Sequence, residues 1–584
     1  MRTLLLAGLL LALAGPVLAL DRSGTIMEAR VYFDNTRTLD RLGDLAGELD
    51  ICTWDEDETG GYLVINTDAE QFEAIRACGL RVEVTWADIR DKFRFETGVD
   101  PDDLDAGRNF GCYLTYWEVE DTLNWLATTY PDICWLTNVG YSHQGRQLYC
   151  LKISDNPASA EDEPACFFNG ATHAREPTGT HTVVMFAQKL LSEYGNDPVA
   201  TWLVNNREMF IVPVMNPDGY VYNSDSGGAS SNWRKNRRVI QSPYVGVDLN
   251  RNYGYKWGYD NSGSSPTPSS ETYRGPSAFS EPATAAVRDF MNLNRFRTCM
   301  DYHTYGRYNM YPWGYTTSYP PERELLQEMA DTFRVNNGYS SGNTGQISRV
   351  LYGCNGVSVD WEYSDTAGKY VTYAFTCELS TGFWTGWDNP SFVANEVNIN
   401  IPNLYYLARV SGVYFEPLGV TVNDTTLGNG TGEVDPDETA ELWFRVRNRA
   451  VHPSDSAVAV SATLRSDLSC LVVEDSQAGF PSVPRRSDAD NQADQFRVRA
   501  EAGAQPGTVV PLTLELAYDD LGSDHATELE FEITIGDAVG LAAGPADRVP
   551  SASAFPNPAT NRVNLELPAT APGARLRAYS SAGR

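Results

Sequence analysis

Cys166-Phe167-Phe168-Asn169-Gly170-Ala171-Thr172-His173-Ala174-Arg175-Glu176-Pro177 is the stretch that decides how this chain folds and where its chemistry sits. Cys166 to Phe168 is a short apolar run of the kind that fills a buried strand. Pro177 suits the first position of a helix, and Val183, Val184, Phe186, Ala187, Leu190 and Leu191 then form one apolar helical face. The stretch therefore reads strand, turn, helix, with His173 and Glu176 at the turn. An imidazole and a carboxylate so placed can meet one metal ion. HxxE alone is a weak signal, because the same pattern starts ordinary polar helices, and a third ligand is required.

The third ligand is expected further along. His303, one of six histidines, stands in Asp301-Tyr302-His303-Thr304-Tyr305, directly after the strand candidate Thr298-Cys299-Met300. The plainer reading of such a residue is a hydrogen-bonded core histidine. Ligands at the carboxyl ends of neighbouring strands nevertheless suit an α/β sheet, which binds at that edge, and two His with one Glu and an open fourth position define a catalytic zinc site. Further strand candidates, Met209-Phe210-Ile211-Val212 and Tyr373-Ala374-Phe375-Thr376, alternate with helical patterns from about residue 113 to 409. That alternation predicts an α/β domain with a largely parallel central sheet.

Composition bounds the rest. The 584 residues, 42% of them hydrophobic, exceed what one core organises, so several domains are expected. A net charge of -32, from 77 acidic and 45 basic residues, argues against sequence-independent nucleic-acid binding and against attraction to anionic lipid. Arg2, the apolar run Leu4 to Leu20 and small residues near Ala19 read as a secretory signal peptide over 1–19. No later segment approaches the roughly 20 apolar residues of a membrane span. None of the ten cysteines forms a CxxC unit, which argues against a cysteine zinc site, and their pairing stays open.

Two flanking regions differ from the middle. Residues 20–110 hold the strand-like Ala29-Arg30-Val31-Tyr32-Phe33 and Tyr62-Leu63-Val64-Ile65 and a helical stretch from Ala69 to Cys78, then Arg90, Lys92, Arg94 and the polar run Glu96 to Gly107, an exposed region suited to cleavage. From 413 to 540 short runs such as Glu441-Leu442-Trp443-Phe444-Arg445-Val446 and Leu512-Thr513-Leu514-Glu515-Leu516 predict an accessory β-sandwich. A further strand-rich module starts within 541–584 at Phe555-Pro556-Asn557-Pro558-Ala559.

Between the flanks, over about 300 residues, more motifs appear in order: Asn216-Pro217-Asp218-Gly219, Trp233-Arg234-Lys235, Gly246-Val247-Asp248-Leu249-Asn250-Arg251-Asn252, Tyr311-Pro312-Trp313-Gly314 and Cys377-Glu378-Leu379. With HxxE and His303 they resemble the zinc carboxypeptidases of the carboxypeptidase A and B family. The resemblance implies a catalytic domain over 111–412 with a mixed sheet of eight strands flanked by helices. It implies one Zn2+ held by His173, Glu176 and His303, with Glu378 as general base and Arg234 polarising the scissile carbonyl. It places Asn250, Arg251 and Tyr352 on the substrate's free C-terminal carboxylate, which a guanidinium fork suits, and Arg175 and Tyr305 at accessory substrate positions. Peptide or protein C-termini are then the substrate.

The same resemblance maps the pocket for the departing side chain onto Met310, Gly314, Ile347, Leu351, Cys354, Val359 and Thr376. None is acidic, and Val359 stands where basic-specific relatives carry Asp, so aromatic or large aliphatic C-terminal residues are expected; Arg349 and Glu362 lie close by in sequence. Pro177 departs from the bulky residue many relatives carry after the ligand Glu, with a local effect expected. Residues 20–110 match the family's inhibitory α+β propeptide in size and place, which makes the chain a zymogen. The tail 541–584 looks like the start of a type IX secretion sorting domain, implying contact with secretion machinery. Two other classes compete with a secreted carboxypeptidase. A non-catalytic binding protein would have lost ligands or base, and a zinc amidohydrolase acting on cell-wall peptides would have replaced Asn250, Arg251 and Tyr352.

Overall fold

The computed structural model describes residues 27–33, 41, 50–57, 60–67, 69–87, 110–226, 232–242, 244–364, 371–387, 389–520 and 522–537. The signal segment 1–19, the basic and polar stretch from Arg90 to Gly107 and the tail 541–584 lie outside the described residues.

Eight strands build the central sheet: β1 (Cys134–Tyr141), β2 (Gln147–Ile153), β3 (Ala165–Asn169), β4 (Glu208–Val212), β5 (Phe296–Thr304), β6 (Tyr308–Tyr311), β7 (Thr344–Gln346) and β8 (Tyr373–Leu379). Their order is β7-β6-β8-β5-β3-β4-β2-β1. The four strands β8, β5, β3 and β4 run parallel, while β6 and β2 join them antiparallel on either side. The sheet is thus mixed, with a parallel centre.

Every residue of β3, β4 and β5 is buried, which is why their sequences read as continuous apolar runs rather than as alternation. The pleat sends successive side chains to opposite helical layers. Phe168 joins one core with Phe186 of helix α1 (Pro177–Glu193), their rings edge to face at 5.5 Å, while Phe167 joins the other with Phe296 at 5.4 Å. Strand ends at the carboxyl edge of the parallel centre therefore open between two packed layers.

Two glycines set how α1 meets that edge. A Cβ at Gly170 would lie 2.6 Å from the Gly179 carbonyl carbon, and one at Gly179 would lie 2.9 Å from Tyr302 Cβ. Their bare backbones let the first turn of α1 rest on β5, and this brings Glu176 beside His303.

Outside the central domain, strands Met27–Phe33, Asp50–Asp57, Gly60–Thr67 and Arg81–Trp86 pair antiparallel around helix Ala69–Ala77 in sequence. Beyond Phe415, five strands and four strands form two antiparallel sheets that share a core containing Leu442, Phe444, Val498, Leu514 and Phe531. Strict in-out alternation along Val509–Asp520 marks strands with one buried face.

These two sheets are joined to the layers around the central sheet by buried charge. Arg207, before β4, donates to the carbonyls of Ala408, Arg409 and Val413, and Arg297 Nε donates to Asp455 Oδ1 at 3.2 Å. Both side chains of that pair are almost wholly buried. Burial pushes the Asp455 carboxyl up to about 6 even though Arg297 pulls against it. Deleting one partner of a buried pair strands the other, so Asp455→Ala should cost about 3–5 kcal/mol. A fall in Tm is the expected readout, and an unchanged Tm would show that the pair does not brace the junction.

Candidate metal centre and active site

The strand-turn-helix reading places its residues as the local physics requires. β3 ends at Asn169, the chain turns through His173, and Glu176 caps α1 from the residue before Pro177. Pro177 occupies the start of the helix, where a missing N–H costs nothing. His303 lies one residue from the end of β5, in register with Glu378 on parallel β8.

His173, Glu176 and His303 converge, with one ligand atom from each lying within 4.8 Å of the others. His173 Nδ1 is 2.9 Å from Glu176 Oε1, and His303 Nδ1 is 2.9 Å from Glu176 Oε2. The two Nδ1 atoms approach each other to 3.1 Å. Two imidazole nitrogens at that separation can share only one proton, whereas a cation between them satisfies both lone pairs. Burial works against ionising Glu176, yet the two imidazoles hold it well below the usual carboxylate range, so it stays an anionic ligand. Two nitrogens and one carboxylate form a donor set that fits zinc.

A second layer orients the first. His173 Nε2 lies 3.3 Å from Asp248 Oδ1, and Arg234 donates to Asp248 Oδ2 through Nε at 3.2 Å and Nη2 at 2.9 Å. Burial alone would raise the Asp248 carboxyl, but Arg234 and then His173 hold it well below its ordinary range. Arg234 Nη1 is left 4.0 Å from Glu176 Oε1, facing the metal ligands. A carboxylate behind a metal-ligating histidine fixes the ring's tautomer and direction.

Asn250 and Arg251 sit on a short 3₁₀ turn, Leu249–Arg251, capped by Asp248. Arg251 is buried and gives Nε to the Gly263 carbonyl at 2.9 Å and Nη1 to the Asn250 carbonyl at 2.7 Å, while Nη2 makes no hydrogen bond among the described residues. Tyr352 is 51% exposed, and its hydroxyl lies in the field of Arg251, Arg234 and Glu378. Glu378 is partly buried, and its shielded Oε2 accepts no hydrogen bond from the described residues. Burial, then the charge of Glu176, pushes its carboxyl well above the usual range.

Pocket candidates Met310, Ile347, Cys354 and Val359 fall in one buried cluster, with Leu351 packed against it. A side chain at Gly314 would strike Cys354 Sγ, 2.6 Å from the position of its Cβ. Thr376 is buried on β8, in register with Asp301 on β5. Arg175 lies 4.1 Å over the Phe383 ring, and Tyr305 packs edge to face on the same ring at 4.8 Å.

Several functional neighbours were not singled out from sequence. Asp248 lies within the quoted Gly246–Asn252 motif, where a carboxylate two residues before Asn250 was the available signal. Asp301 was not singled out either; it forms a buried group with Cys299 and with Glu362, an acid that lies close in sequence to the mapped pocket residues. Asp301 accepts from Asn169 Nδ2 and Ser358 Oγ, and Cys299 Sγ lies 3.4 Å from its Oδ1. Phe383 left no sequence signal, since nothing in the chain order links it to Arg175. Apart from Cys112, whose Sγ donates to the Gly386 carbonyl, the cysteines with described side chains are free thiols.

Fold and site together define an α/β metalloprotein with a His-Glu-His centre at the carboxyl edge of its parallel strands. Residues 119–392 match the family described as zinc carboxypeptidase. Carboxypeptidase A2 of Mus musculus is 33% identical over 283 residues, covering 47% of this chain and 64% of that protein. A metallocarboxypeptidase A-like protein of Trichophyton verrucosum is 30% identical over 378 residues, covering 61% of this chain and 86% of that protein. Among solved structures, carboxypeptidase A from Helicoverpa armigera is similar at 24% identity and a TM-score of 0.46, covering 67% of this chain and 98% of that one. The chain spans less than two thirds of the length of the mammalian carboxypeptidases A that it matches. It belongs to the zinc carboxypeptidase family, whose cofactor is Zn2+.

Proposed function

We propose that this chain is a secreted zinc-dependent carboxypeptidase that removes single residues from the C-termini of peptides and proteins. The carrying observation is that Asn250 and the free Nη2 of buried Arg251 lie on the turn capped by Asp248, which also contacts His173 and Arg234. A terminal carboxylate bound there is paired, whereas an internal peptide segment would leave the Nη2 donors of the buried guanidinium without an acceptor.

His173, Glu176 and His303 would hold the metal, which when bound supplies Lewis acidity and a water acidified toward neutrality. Glu378 takes the water's proton and passes it to the departing amine, for which its raised pKa is suited. Arg234, fixed by Asp248, directs Nη1 toward charge developing on the scissile carbonyl oxygen. Asn250, Arg251 and Tyr352 hold the terminal carboxylate, while Arg175, Tyr305 and Phe383 line the approach for residues upstream.

The departing side chain enters the cluster of Ile347, Val359, Thr376, Met310 and Cys354. Asp301 does not make this a basic pocket, because its carboxylate already accepts from Asn169 and Ser358. Aromatic and large aliphatic residues are therefore preferred. The segment 20–110 is read as the inhibitory propeptide and 541–584 as the sorting tail. Among the described residues no helix is long and apolar enough to cross a membrane.

The test is release of C-terminal Phe, Leu, Lys or Glu from blocked dipeptides, before and after limited proteolysis between residues 94 and 110. Phe and Leu should exceed Lys by about 10- to 100-fold in kcat/KM, since a lysine would be desolvated without a partner. Preferential release of Lys would reject the pocket reading alone. No release of any of the four would reject the exopeptidase reading.

A further inference from the structure

We propose that Ser358, anchored by Asp301, is a positioning residue that turns the Asn250 amide so that its N–H groups face the substrate's terminal carboxylate. The inference rests on the carboxypeptidase reading and adds to it the device that sets the clamp's polarity.

An asparagine amide is nearly symmetric in shape, and its two ends have opposite chemistry. A clamp for an anion works only with Nδ2 toward the ligand; the reverse orientation presents Oδ1, which repels it. Ser358 decides between them. Its backbone N–H donates to Asn250 Oδ1 at 2.9 Å, and a backbone donor can be satisfied only by the oxygen end. With Oδ1 held there, Nδ2 is turned the other way and lies 3.3 Å from His303 Nε2, the ring nitrogen that does not face Glu176. When His303 uses Nδ1 as a ligand, Nε2 carries the ring proton and cannot accept. The amide hydrogens of Asn250 then remain for an acceptor in the cleft.

Ser358 is itself pinned. Its hydroxyl lies 3.3 Å from Asn250 Oδ1 and also meets Asp301 Oδ2. A hydroxyl has one proton, and the carboxylate, which can only accept, takes it. Asp301 is held in turn by Asn169 Nδ2 at the end of β3. Asp301, Ser358 and Asn169 are each at most 2% exposed, so water cannot replace these bonds. Two strand ends thereby fix the first residue of helix α2 (Ser358–Tyr363), and through its N–H they fix Asn250.

The test uses Ser358→Ala, which removes the anchor, and Ser358→Pro, which removes the N–H. Proline is tolerated at the first position of a helix, and Val357 before it has φ -88° and ψ 154°, a conformation that precedes proline readily. Calorimetry would compare binding of 3-phenylpropanoate with that of 3-phenylpropanamide, alongside KM and kcat for a blocked dipeptide ending in Phe. Both variants should bind the carboxylate about tenfold more weakly and raise KM similarly, with kcat and amide binding little changed. Equal losses for acid and amide, or a fall confined to kcat, would mean general loosening and overturn the proposal. Wild-type preference for the acid that survives in both variants would overturn it alone. Wild-type protein that binds the acid no better than the amide would overturn the carboxypeptidase reading as well.

Discussion

Glu378→Gln is expected to lower kcat for release of C-terminal Phe by between about 10²- and 10⁴-fold, with KM within a few-fold of wild type. Glutamine keeps the shape and the contacts with the cleft but cannot take a proton, so the loss should fall on the chemical step alone. The side chain is placed for that role by register, since Glu378 pairs with His303 across two parallel strands and cannot shift without moving a ligand strand. Its pH behaviour gives an independent check. A general base works ionised, so activity should fall as pH drops through the Glu378 pKa. Burial and Glu176 place that limb above the ordinary carboxylate range, and a bound cation nearby draws it part of the way back. Loss of this acid limb in residual Glu378→Gln activity would identify Glu378 as its source; an unshifted limb would assign it elsewhere.

Removing zinc should have the other large effect. Dialysis against a strong chelator is expected to cut turnover by at least about 10³-fold, and one equivalent of Zn2+ should restore it. His303→Ala should behave as the stripped protein does and should not recover with stoichiometric zinc, because two ligands remain where three are needed. A drop in Tm on stripping should accompany the loss, since a ligand that binds only the folded state stabilises it. Retention of full activity by metal-free protein would exclude the His173, Glu176 and His303 centre from the chemistry.

Much of this was legible before any coordinates. His173 and Glu176 are close in sequence, and Pro177 with the stripe from Val183 to Leu191 fixes the helix beside them, so local rules sufficed. The runs Cys166–Phe168, Met209–Val212, Thr298–Met300 and Tyr373–Thr376 each lie within an observed strand, because strands buried on both faces declare themselves by unbroken apolarity. The expected largely parallel sheet needed refinement. The four central strands run parallel and so does the edge pair β6 and β7, but β6 and β2 join the centre antiparallel, a direction that short or half-buried strands do not mark in sequence. The buried acid Asp301 stands near a pocket whose mapped residues include no acid.

The sequence by itself determined the kinds of group available and the local frames that carry them: an HxxE turn at a strand end, a histidine at another strand end, and a glutamate on a third. Periodicity and turn chemistry act over a few residues, and those features lie within that reach. Only the tertiary structure decided what meets across distance. It put Asp248 behind His173 and Arg234, Phe383 beneath Arg175, Asp455 against Arg297, and Asp301 against Ser358, a separation of 57 residues. Such pairings follow from strand order and from the close seating of α1 on β5 at Gly179, and no local propensity encodes them. A buried carboxylate is stable only where the whole fold delivers its donors, so its role becomes visible only when the fold is complete.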